Sequence, residues 1–242
     1  MRLILIRHGE TKANLVMRWS GSKDLEITNL TAEGKSQAKK LGLWFKQENF
    51  VPTQVYVSPQ KWAQDTATLA GGHWNLSFTT LEDLRETGAG IFEGHTWEEI
   101  ESKYPEQANN FKDSRDWSFV DESEQEIDRR NRGNRVLKFA LDHHGNEDVV
   151  VMFCHAGIIQ HTVSCIFESP KLWGIVTKNT AIFEFQLDIH KWSEPSRERF
   201  NPTSWRIIRF NEQPHLAWYI LIKWGGMRQR TCLFDIFFDP YS

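Results

Sequence analysis

The feature that most constrains this chain is a short apolar run, Leu3-Ile4-Leu5-Ile6, that stops on the polar cluster Arg7-His8-Gly9-Glu10-Thr11. An apolar run of this length bounded by glycine reads as a buried strand. A second run, Val149-Val150-Val151-Met152-Phe153, repeats the pattern and ends on His155-Ala156-Gly157. Open α/β sheets bind ligands beyond the carboxyl ends of their strands. If the two runs are neighbours, His8 and His155 face one crevice.

Between and after these runs, strand and helix signals alternate. Thr31 is a good N-cap for a helix through Phe45, Val55-Tyr56-Val57 is a short strand, and Ser58-Pro59 opens a helix to about Ala70. Residues 76–81 read as a strand, and Leu84 to Gly94 as an active-site-sized loop. Trp97 to Tyr104 and Ala108 to Phe111 read as short helices separated by Pro105, and 113–122 as loop. A long helix is expected from Ser123 to His143, and another from Ile158 to Phe167. Ala181–Leu187 and Trp205–Phe210 read as a closing pair of strands around a polar loop at 190–204. The alternation implies an α/β sheet covered on both faces.

The opening cluster has the chemistry of an anion site with a nucleophile in its middle. Arg7 can form paired bonds to phosphate oxygens. His8 is a usable nucleophile or base near neutrality. Gly9 allows close backbone approach, and Thr11 and Asn14 add neutral hydrogen bonds. His155, at the end of the second run, can donate to a phosphoryl oxygen. Glu86, just before the glycine-rich loop, is a candidate acid, and Glu93 in Phe92-Glu93-Gly94 is its rival. Charge and position leave that choice open.

The net charge is -3, which favours neither nucleic acid nor an anionic membrane. The basic run Arg129-Arg130, with Arg132 and Arg135, follows an acidic stretch and reads as a helix with solvated charged faces. The three cysteines, Cys154, Cys165 and Cys232, form no disulfide framework and no CxxC, so a reducing, cytoplasmic compartment is expected. No apolar run reaches membrane-spanning length, and no signal peptide is visible. No HExxH or zinc-type Cys/His spacing occurs.

The stretch Leu5-Ile6-Arg7-His8-Gly9-Glu10-Thr11 with Asn14 resembles the histidine phosphatase superfamily, which includes the cofactor-dependent phosphoglycerate mutases. The resemblance continues at Leu30-Thr31 with Gly34 and Gln37-Ala38, and at Ser58-Pro59 with Ala63, Thr66 and Ala67. It returns at Leu84-Arg85-Glu86, Phe92-Glu93-Gly94 and Phe153-Cys154-His155-Ala156-Gly157. It implies a three-layer sandwich with a mostly parallel central sheet, occupying residues 1–215. Residues 216–242 then form an aromatic-rich extension: a final strand with a docking segment, a partner-binding tail or an unstructured end. The resemblance also implies transient phosphorylation of His8 and proton donation by Glu86. Arg7, Asn14 and His155 would hold the phosphoryl group, with Gly21 beside the substrate. No cofactor or metal is implied, the partner is a small phosphorylated substrate, and a homodimer is compatible.

One position departs from the family pattern. Where the family carries a second phosphate-binding arginine, three residues past Pro59, this chain has Trp62. An indole offers one N–H and no charge. Lys23 and Arg85 are candidate replacements for the missing cation. The short 95–122 segment, with Trp97-Glu98-Glu99-Ile100 and Tyr104-Pro105-Glu106, resembles the phosphatase branch more than the mutases. Trp97 and Trp117 are expected to shape leaving-group selectivity. Phosphomonoester hydrolysis is therefore favoured. A mutase and a catalytically impaired phosphoester-binding protein are the alternatives.

Overall fold

A computed structural model describes residues 1–171, 174–192 and 204–217, with the backbone of 219–224 and 227–232. In chain order the elements are β1 (Arg2–Arg7), α1 (Lys12–Leu15), α2 (Ala32–Gln47), β2 (Gln54–Val57), α3 (Lys61–Gly71) and β3 (Phe78–Thr80). Then follow α4 (Trp97–Lys103), α5 (Pro105–Ser114), α6 (Glu126–His143), β4 (Val149–Cys154), α7 (Ala156–Ile166), β5 (Ile182–Leu187), α8 (Ile189–Trp192), β6 (Trp205–Glu212), β7 (Tyr219–Trp224) and β8 (Met227–Cys232).

One sheet runs in the order β3-β2-β4-β1-β5-β6, and β7-β8 form a separate hairpin. β1, β2, β3 and β4 are mutually parallel, while β5 and β6 add an antiparallel side. Ile6 pairs with Phe153 and Arg7 with Cys154, so the two apolar runs of the sequence are neighbours in register.

The runs are continuously apolar because alternate side chains enter opposite layers. Leu3 and Leu5 pack with Val150, Met152 and residues of α6 and α7. Ile4 and Ile6 pack with Val151, Phe153 and residues of α2 and α3. The result is the expected three-layer sandwich. A third, smaller cluster around Phe92, Phe111 and Trp117 roofs the carboxyl ends of the strands.

Tertiary context moved several local boundaries. Pro105 is the first residue of α5 rather than a break between helices, the position where its missing N–H costs nothing. α6 begins at Glu126 because Ser123 bridges to Ala89 and stays extended. The 113–122 segment contains a 3₁₀ turn at Trp117–Phe119, and 189–192, expected partly as loop, is helical. The charged face of α6 is not uniformly solvated: Arg129 and Arg132 are buried. The rest of the expected polar loop, 193–203, and much of the tail lie outside the described residues.

Glycines bring the first loop onto α2. A Cβ on Gly34 would lie 2.0 Å from the Glu10 carbonyl oxygen, and one on Gly9 would lie 2.5 Å from that of Gly34. Only two bare backbones can approach this closely. The contact fixes the turn after His8.

Candidate active site

The carboxyl ends of β1 and β4 open into a cleft of about 530 Å³, within the usual range for a small-molecule site. His8 lies at its base. Its ring Nδ1 is 2.7 Å from the Gly9 carbonyl oxygen. A carbonyl only accepts, so Nδ1 carries the proton and Nε2 keeps its lone pair. Burial, and secondarily the neighbouring Arg7, push the His8 pKa down to about 3. The ring is therefore neutral at physiological pH, the state a nitrogen nucleophile requires.

Arg7 donates from Nη1 to the Thr177 carbonyl, and its buried Nε has no partner. Asn14 belongs to the capping box of α1: its Oδ1 accepts from the Thr11 backbone N–H at 3.2 Å and from Asn179 Nδ2 at 3.0 Å. Those bonds occupy the oxygen, and among the described residues the amide nitrogen of this cleft-lining side chain donates to no protein group. Asn179 lines the cleft too, and also donates to the His8 carbonyl at 3.3 Å. It follows no strand signal and carries no charge, so nothing in the sequence pointed to it.

The two rival glutamates separate. Glu86 lines the cleft, and its Oε1 accepts from the backbone N–H groups of Thr87 at 2.8 Å and Gly157 at 3.0 Å, the latter in the first turn of α7. A Cβ on Gly157 would fall 2.5 Å from that same oxygen, so the glycine makes room for the carboxylate. Glu93 is instead turned into the loop packing. Its Oε1 accepts from the backbone N–H groups of Ser22 at 2.9 Å and Ala89 at 3.0 Å. Gly21 sits at the cleft wall in the left-handed region, φ 63°, and a Cβ there would strike Glu93.

Behind His8 lies a buried hydrogen-bonded chain. The Trp62 indole Nε1–H donates to His155 Nδ1 at 2.8 Å, and His155 Nε2 lies 2.8 Å from Ser58 Oγ. An indole only donates, so Nδ1 of His155 must be the acceptor. The ring is thus fixed as the neutral Nε2–H tautomer, donating to Ser58. Burial holds the His155 pKa well below the ordinary histidine value. The His8 and His155 ring centres are 5.2 Å apart, as are those of Trp62 and His155. Trp62 is only 1% exposed. Neither it nor His155 belongs to the cleft lining: both ring nitrogens of His155 are engaged with protein.

Lys23 and Arg85 do not supply the missing cation. Lys23 approaches Glu93 at 3.9 Å, and Arg85 bonds Glu82 and the Ser22 carbonyl. The arginines that line the cleft are Arg7, Arg18 and Arg129. Arg18 is held by a two-pronged bond to Glu99. Trp117 lines the cleft, whereas Trp97 packs in the roof cluster. Among the described residues, no group of three His, Cys, Asp or Glu is placed to hold a metal ion.

At the carboxyl edge of this mostly parallel α/β sheet, a neutral histidine with an unprotonated ring nitrogen lies beside an arginine. The family model of the histidine phosphatase superfamily (branch 1) matches residues 3–199, and the chain belongs to that family. Among its relatives, the phosphatase PhoE of Bacillus subtilis is 33% identical over 102 residues, 42% of this chain and 50% of that protein. Phosphoserine phosphatase 1 of Hydrogenobacter thermophilus is 29% identical over 163 residues, 67% of this chain and 72% of that protein. The crystal structure of the alpha-ribazole phosphatase from Shigella flexneri superposes with a TM-score of 0.74 at 21% identity, covering 88% of this chain and 97% of that one. That likeness establishes the fold.

Proposed function

We propose that the protein is a phosphomonoester hydrolase that acts on a small phosphorylated metabolite through a phosphohistidine at His8, in a reducing, cytoplasmic compartment. The observation that carries this reading is the protonation pattern of His8: Nδ1–H is spent on the Gly9 carbonyl, and a neutral Nε2 faces the cleft beside Arg7.

In the first step the Nε2 lone pair attacks phosphorus and the P–O ester bond breaks. The leaving oxygen takes a proton from Glu86. Arg7 and the Asn14 amide nitrogen hold the phosphoryl oxygens, and charge developing on them is stabilised by these fixed donors. In the second step water attacks phosphorus, Glu86 takes its proton, and the P–N electron pair returns to Nε2. His155 reaches a phosphoryl oxygen only by giving up its bond to Ser58.

A second reading follows from Trp62. Replacing an arginine donor by an indole committed to His155 removes one positive charge, and loss of a single preorganised donor costs ~10²–10³ in rate. A slow enzyme or a phosphoester-binding protein fits that observation. Phosphate release from a panel of phosphorylated metabolites, measured for wild type, His8→Ala, Glu86→Gln and Trp62→Arg, tests both. The hydrolase reading expects release by wild type and none by His8→Ala. Equal release by those two overturns the phosphohistidine route. A silent wild type with gain in Trp62→Arg establishes the binding-protein reading, and transfer to an acceptor metabolite without phosphate release would mark a mutase.

A further inference from the structure

Like Arg7, and unlike the ion-paired Arg18, Arg129 lines the cleft without a direct carboxylate partner. It is 3% exposed, yet its side chain forms part of the cleft wall. Its Nε donates to the Glu124 carbonyl at 2.6 Å, its Nη2 donates to the Gly88 carbonyl, and its guanidinium carbon lies 3.7 Å from the Trp117 ring centre. These partners are backbone oxygens and a π face; among the described residues no carboxylate forms an ion pair with it. Its neighbours differ: Arg132 is paired with Glu124, and Arg18 with Glu99. Glu124, Glu86 and Glu126 favour the Arg129 charge only from beyond ion-pair distance, which leaves the buried guanidinium able to take a direct anionic partner. Burial lowers its pKa only to about 10, so it stays charged.

The next turn of the wall holds a second unmet group. His161 on α7 lines the same cleft and is 4% exposed. Its Nδ1 is buried without a hydrogen-bond partner, and the nearest carboxylate oxygen, on Glu126, is 3.9 Å away. Orphaned buried polar atoms are few in folded proteins and call for a missing partner. A cation with no direct ion pair and an imidazole with an unmet nitrogen on one wall suit the same partner, an oxyanion.

The position of the pair decides which part of a ligand it meets. The Gly88 carbonyl that holds Arg129 is two residues from Glu86, the group on the leaving-oxygen side. Resting on the hydrolase reading above, we propose that Arg129 and His161 form a subsite for a carboxylate carried by the leaving group. The preferred substrates are then phosphomonoesters of hydroxy acids rather than of neutral alcohols. The donors are Arg129 Nη1 and, in the Nδ1–H tautomer that such a ligand would select, His161 Nδ1. Glu126 also lines this wall, so a single negative charge suits the subsite better than a phosphate dianion.

Calorimetric binding to the non-turnover His8→Ala protein tests the subsite. The probes are 3-phosphoglycerate and glycerol 3-phosphate, which differ only in carboxylate against hydroxymethyl. The carboxylate probe is expected to bind roughly 10- to 100-fold tighter, the worth of a hydrogen-bonded charge. Adding Arg129→Gln brings the ratio near one, and adding His161→Phe lowers it several-fold. Equal affinities in the parent, or Arg129→Gln weakening both probes alike, overturns the subsite. If Arg129→Gln does not fold, an unchanged ratio in His161→Phe does the same. Tighter binding of glycerol 1,3-bisphosphate than of 3-phosphoglycerate overturns the choice of carboxylate. Turnover of 3-phosphoglycerate by wild type is scored separately. Its absence with discrimination intact removes the hydrolase reading and keeps the subsite, whereas turnover without discrimination removes the subsite alone.

Discussion

Trp62→Phe isolates what the indole contributes where the family has an arginine. The substitution keeps an aromatic ring in a fully buried position but deletes the N–H that His155 Nδ1 accepts at 2.8 Å. A buried acceptor left without a donor costs about 1–3 kcal/mol. The smaller ring also leaves a void, adding roughly 1–2 kcal/mol. Together these lower the melting temperature by roughly 5–15 °C for a chain of this size. The tautomer should change with the stability: once the indole donor is gone, Ser58 Oγ can donate to His155 Nε2 as well as accept from it, and the ring no longer has one preferred form. Nitrogen-15 shifts of His155 at pH 7 report this directly, as a pure Nε2–H signature in wild type and an averaged one in Trp62→Phe. Trp62→Arg supplies the complementary case. Its guanidinium can still donate to Nδ1, but a second buried charge then lies near Arg7. It should be less stable than wild type without ligand and gain more from added orthophosphate, up to about 2.7 kcal/mol at a hundredfold excess over Kd. A Trp62→Phe protein that melts with wild type and keeps the Nε2–H tautomer refutes the hydrogen-bonded chain.

Gly157→Ala places a methyl group 2.4 Å from Thr87 Oγ1 and 2.5 Å from Glu86 Oε1, which displaces the proposed acid while favouring the helix itself. Turnover of alkyl phosphates should fall by ~10²–10³, the worth of a general acid, with a much smaller loss on 4-nitrophenyl phosphate, whose leaving group needs no proton. Equal losses on both would place Glu86 outside proton transfer. The pH dependence of stability has a definite sign. His8 titrates at about 3, His161 at about 4 and His215 at about 4 in the folded chain, each lowered chiefly by burial. Unfolded histidines take up protons near pH 6.5. Between about 6.5 and 4 the unfolded chain therefore binds more protons, and stability falls with decreasing pH by up to ~1.4 kcal/mol per unit for each ring. Their contribution is flat above about pH 7.5. Urea midpoints measured from pH 8 to 5 check this, and a midpoint that does not fall on acidification contradicts the buried neutral rings.

The sequence by itself determined the sandwich and the centre of the site. Two apolar runs of strand length, each ending on a histidine, leave few arrangements other than adjacent buried strands, because period-2 side chains that are all apolar need a layer on each face. Arg7, His8 and Asn14 were legible because they follow a strand end, whereas position left Glu86 and Glu93 as rivals and only the family resemblance favoured Glu86. Other features depended on distant partners. The choice between Glu86 and Glu93 was made by which backbone amides each carboxylate meets, and those amides come from residues as far apart as Ser22 and Gly157. Asn179 and His161 entered the cleft through the packing of β5 and α7, with no local signal. The sequence showed Trp62 only as a missing charge. The structure shows its N–H committed to His155, and places in the cleft wall a second buried arginine, Arg129, that among the described residues has no direct ion pair. The reason is physical: periodicity and turn chemistry are local properties of the chain, whereas burial, tautomer and counter-charge are set by neighbours that only the folded sheet and its helices bring together.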